Sequence, residues 1–165
     1  MKEKVALVTG GTSGIGRETC IHFARRGASV AFTGRRADKG AETLKMIEAE
    51  GGKGLFIQAD VSKVEDCKSM VDKTVAAFGR LDYAFNNAGV EGQMGPIAEA
   101  DIDAYRYVMD INVLGVLMSM KYEAAAMLKS GGGAIVNNAS IAGLIGMPGI
   151  LSLIHISEPT RLRLI

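Results

Sequence analysis

The residues best suited to chemistry in this sequence follow a short apolar segment near the amino terminus. Val5–Val8 leads into Thr9-Gly10-Gly11-Thr12-Ser13-Gly14-Ile15-Gly16, and a helical pattern begins at Arg17. We predict a buried strand, a glycine-rich turn and the start of a helix. Glycine lets the backbone approach a ligand closely, and the free N–H groups at a helix start attract a pyrophosphate. The candidate ligand-binding residues of the turn are Gly10, Thr12, Ser13, Gly14, Ile15 and Gly16.

The spacing of the glycines separates the known kinds of phosphate-binding turn. Arg17-Glu18 stands where a P-loop requires Lys followed by Ser or Thr, which disfavours a nucleoside triphosphate. Thr19 stands where the Gly-x-Gly-x-x-Gly fingerprint needs its last small residue. The pattern that fits is Thr-Gly-x-x-x-Gly-x-Gly over Thr9 to Gly16. An ordinary connection between a strand and a helix is the alternative.

Two further polar motifs follow apolar segments that we predict to be strands. Asn86-Asn87-Ala88-Gly89 follows the fourth segment, Leu81–Phe85, and Ala139-Ser140 follows the fifth, Gly133–Asn138. Ligands bind outside the carboxyl ends of the strands in open α/β sheets. Together with the glycine-rich turn, these motifs resemble the short-chain dehydrogenase/reductase family, Rossmann-fold enzymes that use NAD or NADP. The resemblance covers Lys4 to about Ile150.

The resemblance implies a role for several side chains. Asp60 would accept a hydrogen bond from the adenine amino group, and the amide of Val61 would donate to the ring; a helix N-cap is the alternative for Asp60. The residues beside the nicotinamide ribose would be Asn87, Ala88 and Gly89. Ser140 would hydrogen-bond the substrate oxygen. Asn112 would distort its helix and hold a water of the proton relay, whereas a satisfied structural group is the alternative.

The turn after the second predicted strand bears on the choice between NAD and NADP. Gly34 occupies the place where NAD-specific Rossmann proteins usually have an acidic residue. Asp38 lies near the right distance, but we interpret it as the cap of the next helix. Arg35 and Arg36 can pair with a 2′-phosphate, which favours NADP over NAD. The alternative is that both arginines are simply solvated.

The order of apolar segments predicts an α/β fold. We expect a Rossmann-type doubly wound parallel sheet in three α/β/α layers, incomplete at its carboxyl-terminal side and forming one domain over residues 1–150. The other predicted strands are Ser29–Thr33 and Gly54–Ala59. The predicted helices are Arg17–Arg26, Ala41–Glu50, Val64–Phe78 and Asp103–Lys129. Gly27 is a C-cap signal for the first helix.

Composition excludes several classes of function. The 165-residue chain has a net charge of +1 and no Trp, which argues against nucleic-acid and anionic-membrane partners. Ser130–Ser157 lacks charged residues, but its glycines and Pro148 disfavour a spanning helix. Cys20 and Cys67 lack metal-ligand spacing, so we expect core or half-buried thiols in a cytoplasmic protein without a metal. The resemblance implies a small-molecule alcohol or ketone substrate and a homo-oligomer.

The family's acid–base motif does not occur in the sequence. Short-chain dehydrogenases need Tyr-x-x-x-Lys about thirteen residues after the serine, but Leu153 and Ser157 stand at those places. None of the four tyrosines is followed four residues later by Lys. Residues 151–165 are predicted to be a non-native tail, in which His155 is a poor substitute base. We therefore expect an oxidoreductase for alcohols or ketones whose present chain is inactive; a non-catalytic dinucleotide-binding module is the alternative.

Overall fold

Each strand of the protein is a short apolar segment, and a helix or helical stretch leads from each strand to the next. The computed structural model describes residues 1–141. The strands are β1 Val5–Val8, β2 Ser29–Gly34, β3 Lys53–Gln58, β4 Tyr83–Asn86 and β5 Ala134–Asn137. The α-helices are α1 Gly14–Arg25, α2 Ala37–Ala49, α3 Val64–Phe78, α4 Ile102–Met109 and α5 Gly115–Lys129. A 3₁₀ turn at Ile97–Glu99 precedes α4.

The five strands form one parallel sheet in the order β3-β2-β1-β4-β5. The chain returns from the β3 edge to the centre of the sheet, so the direction in which strands are added reverses between β1 and β4, and ligands of such sheets bind at this point of reversal. In the register, Leu7 of β1 lies opposite Ala31 of β2 and Ala84 of β4. The predicted Rossmann-type doubly wound sheet is therefore confirmed.

The side chains of successive β1 residues belong to two separate hydrophobic cores, one on each face of the sheet. Leu7 belongs to the core that contains Met70 of α3 and Met118 of α5. Val8 belongs to the other core, with Cys20 of α1 and Ile47 of α2. Because side chains of a strand alternate between faces, one central strand supports both helical layers. Cys20 and Cys67 are fully buried, as expected.

The apolar face of α3 follows the predicted helical spacing, with one exception. Cys67, Met70, Val71 and Thr74 are buried, and Val75 and Phe78 pack against them. Val64, the first residue of the helix, is the exception, because its side chain is exposed. Gly79 ends α3 with a φ of 81°, the left-handed conformation that glycine adopts at helix ends.

One expectation about a helix cap was wrong, and the alternative offered for Asp60 does not hold. Arg36 rather than Asp38 is the N-cap residue of α2, and Asp38 lies in the first turn, where a carboxylate is favourable to the helix dipole. Asp60 is not the N-cap of α3 either, since that position belongs to Lys63. The Asp60 carboxylate instead accepts hydrogen bonds from Ser62.

The helical stretch from α4 to α5 contains a five-residue π-helical segment, Asp110–Leu114. The whole stretch, Ile102–Lys129, is long and apolar enough to cross a membrane by length and composition. Its α5 portion packs on α3 and on the strands β4 and β5, as a core helix does. The predicted tail at 151–165, with Leu153, His155 and Ser157, lies outside the described residues.

Candidate active site

An open cleft lies across the carboxyl ends of the strands, with a cavity volume of about 260 Å³. Most of the residues predicted to bind a dinucleotide line this cleft. They are Gly10, Thr12, Ser13, Arg35, Arg36, Asp60, Val61, Asn87, Ala88 and Gly89. The topology thus brings the ends of β1, β2, β3 and β4 into one site.

The glycine-rich turn packs tightly against the segment that follows β4. Gly10 has a φ of 67°, and a Cβ there would lie 2.9 Å from the Cα of Ala88. A Cβ on Gly16 would collide with the carbonyl oxygen of Gly10 and lie 2.6 Å from Nδ2 of Asn87. Only glycine permits this approach, because any side chain would push the turn away from β4.

The outer side of the same turn is open, at the amino-terminal end of α1. The N-cap residue Ser13 makes no capping hydrogen bond with its side chain, so the first-turn N–H groups are left for another acceptor. A Cβ on Gly14 would meet nothing within 4 Å, and Ile15 is exposed. Nη2 of Arg17 donates to the carbonyl of Thr12 at 2.7 Å and steadies the turn. This uncapped helix start fits a diphosphate.

Thr9 joins the end of β1 to the turn after β4. Its hydroxyl accepts hydrogen bonds from the backbone N–H of Asn87 at 2.9 Å and of Ala88 at 3.1 Å. Nδ2 of Asn87 donates to the Thr9 carbonyl at 3.2 Å. Sequence reasoning included Thr9 in the motif but assigned it no role. Its function is to align the turn after β1 with the turn after β4.

The turn after β2 forms the far wall of the cleft and carries Arg35 and Arg36. A Cβ on Gly34 would lie 2.8 Å from Oγ1 of Thr12, so no acidic side chain fits there without a shift. Nη1 of Arg35 donates to the hydroxyl of Tyr107 on α4 at 2.5 Å. Nε2 of Gln58 donates to the Arg35 carbonyl at 2.9 Å. The Arg35 guanidinium is thus held by a side chain from outside its own turn.

Asp60 lies after β3 with its carboxylate held by its neighbours. Its Oδ1 accepts from the amide of Ser62 at 3.1 Å and from the Ser62 hydroxyl at 2.8 Å. Burial raises the pKa of Asp60, but the Ser62 hydrogen bonds and the charges of Arg35 and Lys63 outweigh it and lower the pKa overall. The carboxylate is therefore ionised at neutral pH and can accept further hydrogen bonds.

Asn112 lies in the π-helical segment, behind the cleft rather than in its lining. Its Oδ1 accepts from the Val90 N–H at 2.9 Å, and its Nδ2 donates to the Val90 carbonyl at 2.7 Å. Both ends of the buried side-chain amide therefore fix the backbone next to Gly89. This agrees with the structural alternative, in which Asn112 is a satisfied polar group.

Ser140 is half-buried and lies three residues after β5. The segment before it is tied to β4, since the Asn138 amide donates to the Asn86 carbonyl at 2.8 Å. Nδ2 of Asn138 also donates to Oδ1 of Asn87 at 3.2 Å. Ser140 is not in the lining of the cleft, and Gly14, Ile15, Gly16 and Asn112 are not either.

Further cleft residues had not been assigned to the site from the sequence. They are Thr33, Gly34, Ala59, Val90 and Ile111. Thr33, Gly34 and Ala59 end or follow predicted strands, so the carboxyl-end argument could have found them. No sequence pattern could have indicated the contact of Tyr107 with the cleft residue Arg35, because the two residues lie 72 positions apart in the chain. Over residues 1–141, no group of three His, Cys, Asp or Glu side chains is arranged to hold a metal ion.

Comparison with known proteins places the chain in a family. The family model described as "short chain dehydrogenase" matches residues 4–152. Cyclohexanol dehydrogenase of Acinetobacter sp. (strain SE19) is 44% identical over 147 residues, which are 89% of this chain and 59% of that protein. The chain therefore spans about three-fifths of that relative's length.

Solved structures give the same result. NAD⁺-bound xylitol dehydrogenase superposes with a TM-score of 0.91 at 30% identity over 94% of this chain and 60% of that one. Actinorhodin polyketide ketoreductase with NADPH has a TM-score of 0.89 at 33% identity, over 93% and 59% of the two chains. The glycine-rich turn, the parallel sheet and these matches lead to one conclusion: the chain belongs to the short-chain dehydrogenase family.

Proposed function

We propose that the chain binds NAD(P) and derives from an oxidoreductase that transfers hydride between the nicotinamide and a secondary alcohol or ketone. The observation that carries the proposal is the contact of Gly10 and Gly16 with the Asn87 turn beside an uncapped helix start. Membership of the family supports it. So do the names of the relatives, which include a cyclohexanol dehydrogenase and structures with NAD⁺ and with NADPH.

The residues of the cleft and of the helix start beside it fit the parts of a dinucleotide. The first-turn amides from Gly14 to Gly16 would hold the diphosphate, and Asp60 and Val61 the adenine. Asn87, Ala88 and Gly89 would lie beside the nicotinamide ribose. Arg35 and Arg36 would pair with a 2′-phosphate, and the lack of room at Gly34 for a carboxylate supports a preference for NADP over NAD.

The catalytic roles follow from chemistry at the ends of β4 and β5. When bound, the nicotinamide supplies or accepts the hydride. Ser140 would donate a hydrogen bond to the substrate oxygen, and Asn112 would support the proton relay by fixing the Val90 backbone. Because the sequence has no Tyr-x-x-x-Lys, no residue is assigned to donate or remove the proton at that oxygen. Loss of a general acid costs roughly 10² to 10⁴ in rate.

The missing motif favours a second candidate function for the present chain, a dinucleotide-binding module without turnover. Fluorescence titration with NADPH and NADH separates binding from activity, which is assayed against a panel of ketones. We expect binding with negligible turnover. Failure to bind either dinucleotide would refute the cofactor proposal, and turnover at rates ordinary for such enzymes would refute the predicted inactivity.

The preference for NADP has its own test in the Arg35→Ala variant. A lost charge-assisted pair is worth about 1.5–3 kcal/mol, so we expect NADPH affinity to fall about 10- to 100-fold while NADH affinity changes little. Arg25→Ala is the matched control, because Arg25 lies on the exposed surface of α1 and pairs with Glu50. Equal losses for the two dinucleotides would contradict the assignment of Arg35.

We also propose a cytoplasmic location, a homo-oligomeric parent enzyme, and a domain over residues 1–150 followed by a non-native segment at 151–165. The free buried thiols Cys20 and Cys67 support a reducing compartment. The transcript sequence downstream of codon 150 tests the last point. A Tyr-x-x-x-Lys motif in frame is the expected result, and a transcript that encodes residues 151–165 as given would contradict it.

A further inference from the structure

A carboxylic acid is fully buried between α5 and the sheet, and the proposed chemistry does not use it. Glu123 of α5 is 0% exposed, and its Oε2 accepts a hydrogen bond from Nδ2 of Asn86 at 3.0 Å. Asn86 is the last residue of β4 and is itself buried. A buried carboxylate is costly unless it is paired with a cation or well hydrogen-bonded.

In the pair formed by Glu123 and Asn86, one side-chain atom of each residue is hydrogen-bonded to the other residue and one is not. Oε1 of Glu123 and Oδ1 of Asn86 are buried and have no hydrogen-bond partner among residues 1–141. They belong to the same carboxyl and amide groups that the Asn86–Glu123 hydrogen bond already joins. If Glu123 is ionised, both atoms are acceptors and neither can satisfy the other. A single proton on Oε1 would turn that atom into a donor, for which Oδ1 of Asn86 is an acceptor without another partner among residues 1–141.

Among residues 1–141, no charged group contributes to holding Glu123 in its ionised form. Burial raises the pKa of Glu123 to about 7, and the Asn86 hydrogen bond lowers it only in part. Besides the π-helical segment that leads into it, the elements packed on α5 are α3, β4 and β5. From α3, the titratable group that interacts with Glu123 is the Cys67 thiol, whose pKa burial raises to about 11, so it is neutral. From β4 and β5 the groups at this junction are the neutral amides of Asn86 and Asn137.

We propose that Glu123 is a neutral carboxylic acid that donates its proton from Oε1 to Oδ1 of Asn86, so that acid and amide form a closed pair of hydrogen bonds. The pair acts as a proton-dependent joint between α5 and the end of β4. Deprotonation breaks one of the two bonds and leaves a charge in the core.

The joint extends to the strand that precedes Ser140. Nδ2 of Asn86 also donates to Oδ1 of Asn137 on β5 at 3.0 Å. The Asn86 carbonyl accepts from the backbone N–H of Asn138 at 2.8 Å. Orientation of the Asn86 amide by Glu123 therefore sets the spacing between the ends of β4 and β5. Glu123 is thus a positioning residue, and its relevance to cofactor binding rests on the proposed function.

The test compares Glu123→Gln and Glu123→Ala with the wild-type chain. The Gln amide can make the same two hydrogen bonds at any pH, whereas Ala makes neither. Glu48→Gln on the exposed face of α2 is the matched control for the change from acid to amide. Infrared spectroscopy at pH 6 detects a protonated carboxyl directly, since ordinary Asp and Glu side chains have pKa values of about 4 and are ionised there.

We expect a protonated-carboxyl band in the wild type and in Glu48→Gln but not in Glu123→Gln. A raised folded-state pKa means that stability is fully present below the unfolded value of 4.5 and falls as the pH rises to about 7 and beyond. The urea midpoint of the wild type should therefore fall between pH 5 and pH 8, whereas that of Glu123→Gln should lack this component. Glu123→Ala should be less stable than Glu123→Gln at every pH.

Two results would overturn the proposal. One is a wild type with no carboxyl band at pH 6, which would mean that another donor satisfies an ionised Glu123. The other is an equal pH dependence of the urea midpoint in the wild type and Glu123→Gln. Neither measurement needs a dinucleotide, so failure of NADPH to bind would count against the proposed function alone. If NADPH binds, its affinity should weaken above pH 7 in the wild type more than in Glu123→Gln.

Discussion

The first and last strands along the chain are built in opposite ways. All four residues of β1 are buried, and the strand pairs with β2 on one side and β4 on the other. In β5 three of the four residues are exposed, and within residues 1–141 it pairs with β4. The central strand is stabilised by apolar packing on both faces, whereas β5 is attached largely by hydrogen bonds.

This difference separates the glycine-rich turn from the segment that carries Ser140. The glycine-rich turn extends directly from the fully buried β1. The segment with Ser140 is instead tied to β4 by amide contacts, Asn86 with Asn137 and Asn87 with Asn138. Full burial of an aliphatic side chain is worth about 1.5–3 kcal/mol, and a hydrogen bond about 0.5–1.5 kcal/mol. We therefore expect the glycine-rich turn to be the more rigid of the two.

The largest effect should come from truncating the centre of β1. Leu7 is 0% exposed, so Leu7→Ala should lower the free energy of unfolding by about 2–5 kcal/mol through a cavity and lost burial. Val136→Ala is the counterpart in β5, where the side chain is 58% exposed, and should cost no more than about 0.5 kcal/mol. Urea unfolding measures both, and similar losses would show that the two strands are not built differently.

A smaller loss is expected from Gly16→Ala, which presses the turn after β1 against the Asn87 turn. The new methyl group would collide with the Gly10 carbonyl, at a cost of about 1–3 kcal/mol. Gly14→Ala is the comparison, because its Cβ would meet nothing although its φ of 51° disfavours alanine. NADPH titration with urea unfolding should show weaker binding and lower stability for Gly16→Ala; unchanged binding and stability would contradict the close contact.

Asp82 lies at the end of the sheet opposite the cleft, and we expect its contribution to stability to depend on pH. Burial raises the pKa of Asp82, but hydrogen bonds from Arg80, Lys4 and the Val5 amide outweigh it, so that the pKa lies below its ordinary value. A lowered folded-state pKa stabilises the protein above the unfolded value of 3.8, and this stability is lost as the pH falls through the folded value.

Asp82→Asn should therefore cost about 1 kcal/mol at pH 7 and flatten the acid limb of the stability curve. Thermal unfolding between pH 2 and pH 7 measures both effects. Asp72→Asn is the control, since Asp72 pairs with Lys68 on the exposed face of α3. An acid limb as steep in Asp82→Asn as in the wild type would exclude Asp82 as its source.

The smallest effect is expected at Tyr107, which holds Arg35 from α4. Tyr107→Phe removes one exposed hydrogen bond, so stability should change by less than about 0.5 kcal/mol. NADPH affinity should fall about 2- to 5-fold, since Arg35 is no longer oriented, while NADH affinity stays constant. Tyr105→Phe, on the same helix, is the control. An NADPH affinity equal to that of the wild type would show that the Tyr107 contact does not orient Arg35.

The parts of the site that depend on local sequence could be predicted. The strand, turn and helix from Val5 to Arg25 are adjacent in the chain, and their apolar run and glycine spacing predict them. The sheet follows because short strands alternating with helices form parallel sheets. Asn112 was identified only through the resemblance, and its two bonds to Val90 depend on a loop 22 residues away.

Neither the helix caps nor the contacts between distant segments could be predicted. Nothing near Asp38 or Asp60 indicates that Arg36 and Lys63 occupy the cap positions, because capping depends on the path of the preceding backbone. The partnership of Glu123 with Asn86 is equally hidden. Glu123 looks like a solvated helix residue until the packing of α5 on the sheet turns its side chain inward.

The π-helical segment Asp110–Leu114 determines how α5, the helix that follows it, is rotated about its own axis. A π turn contains one more residue than an α turn, and each α-helical residue advances the side chain by about 100° around the axis. Deletion of one residue from this segment would rotate α5 by that angle against the sheet. Glu123 would then occupy the half-buried position that Tyr122 now has, and the exposed Leu117 would occupy the half-buried position of Val116. The one extra residue of the π turn thus determines which face of the fifteen-residue helix α5 is buried.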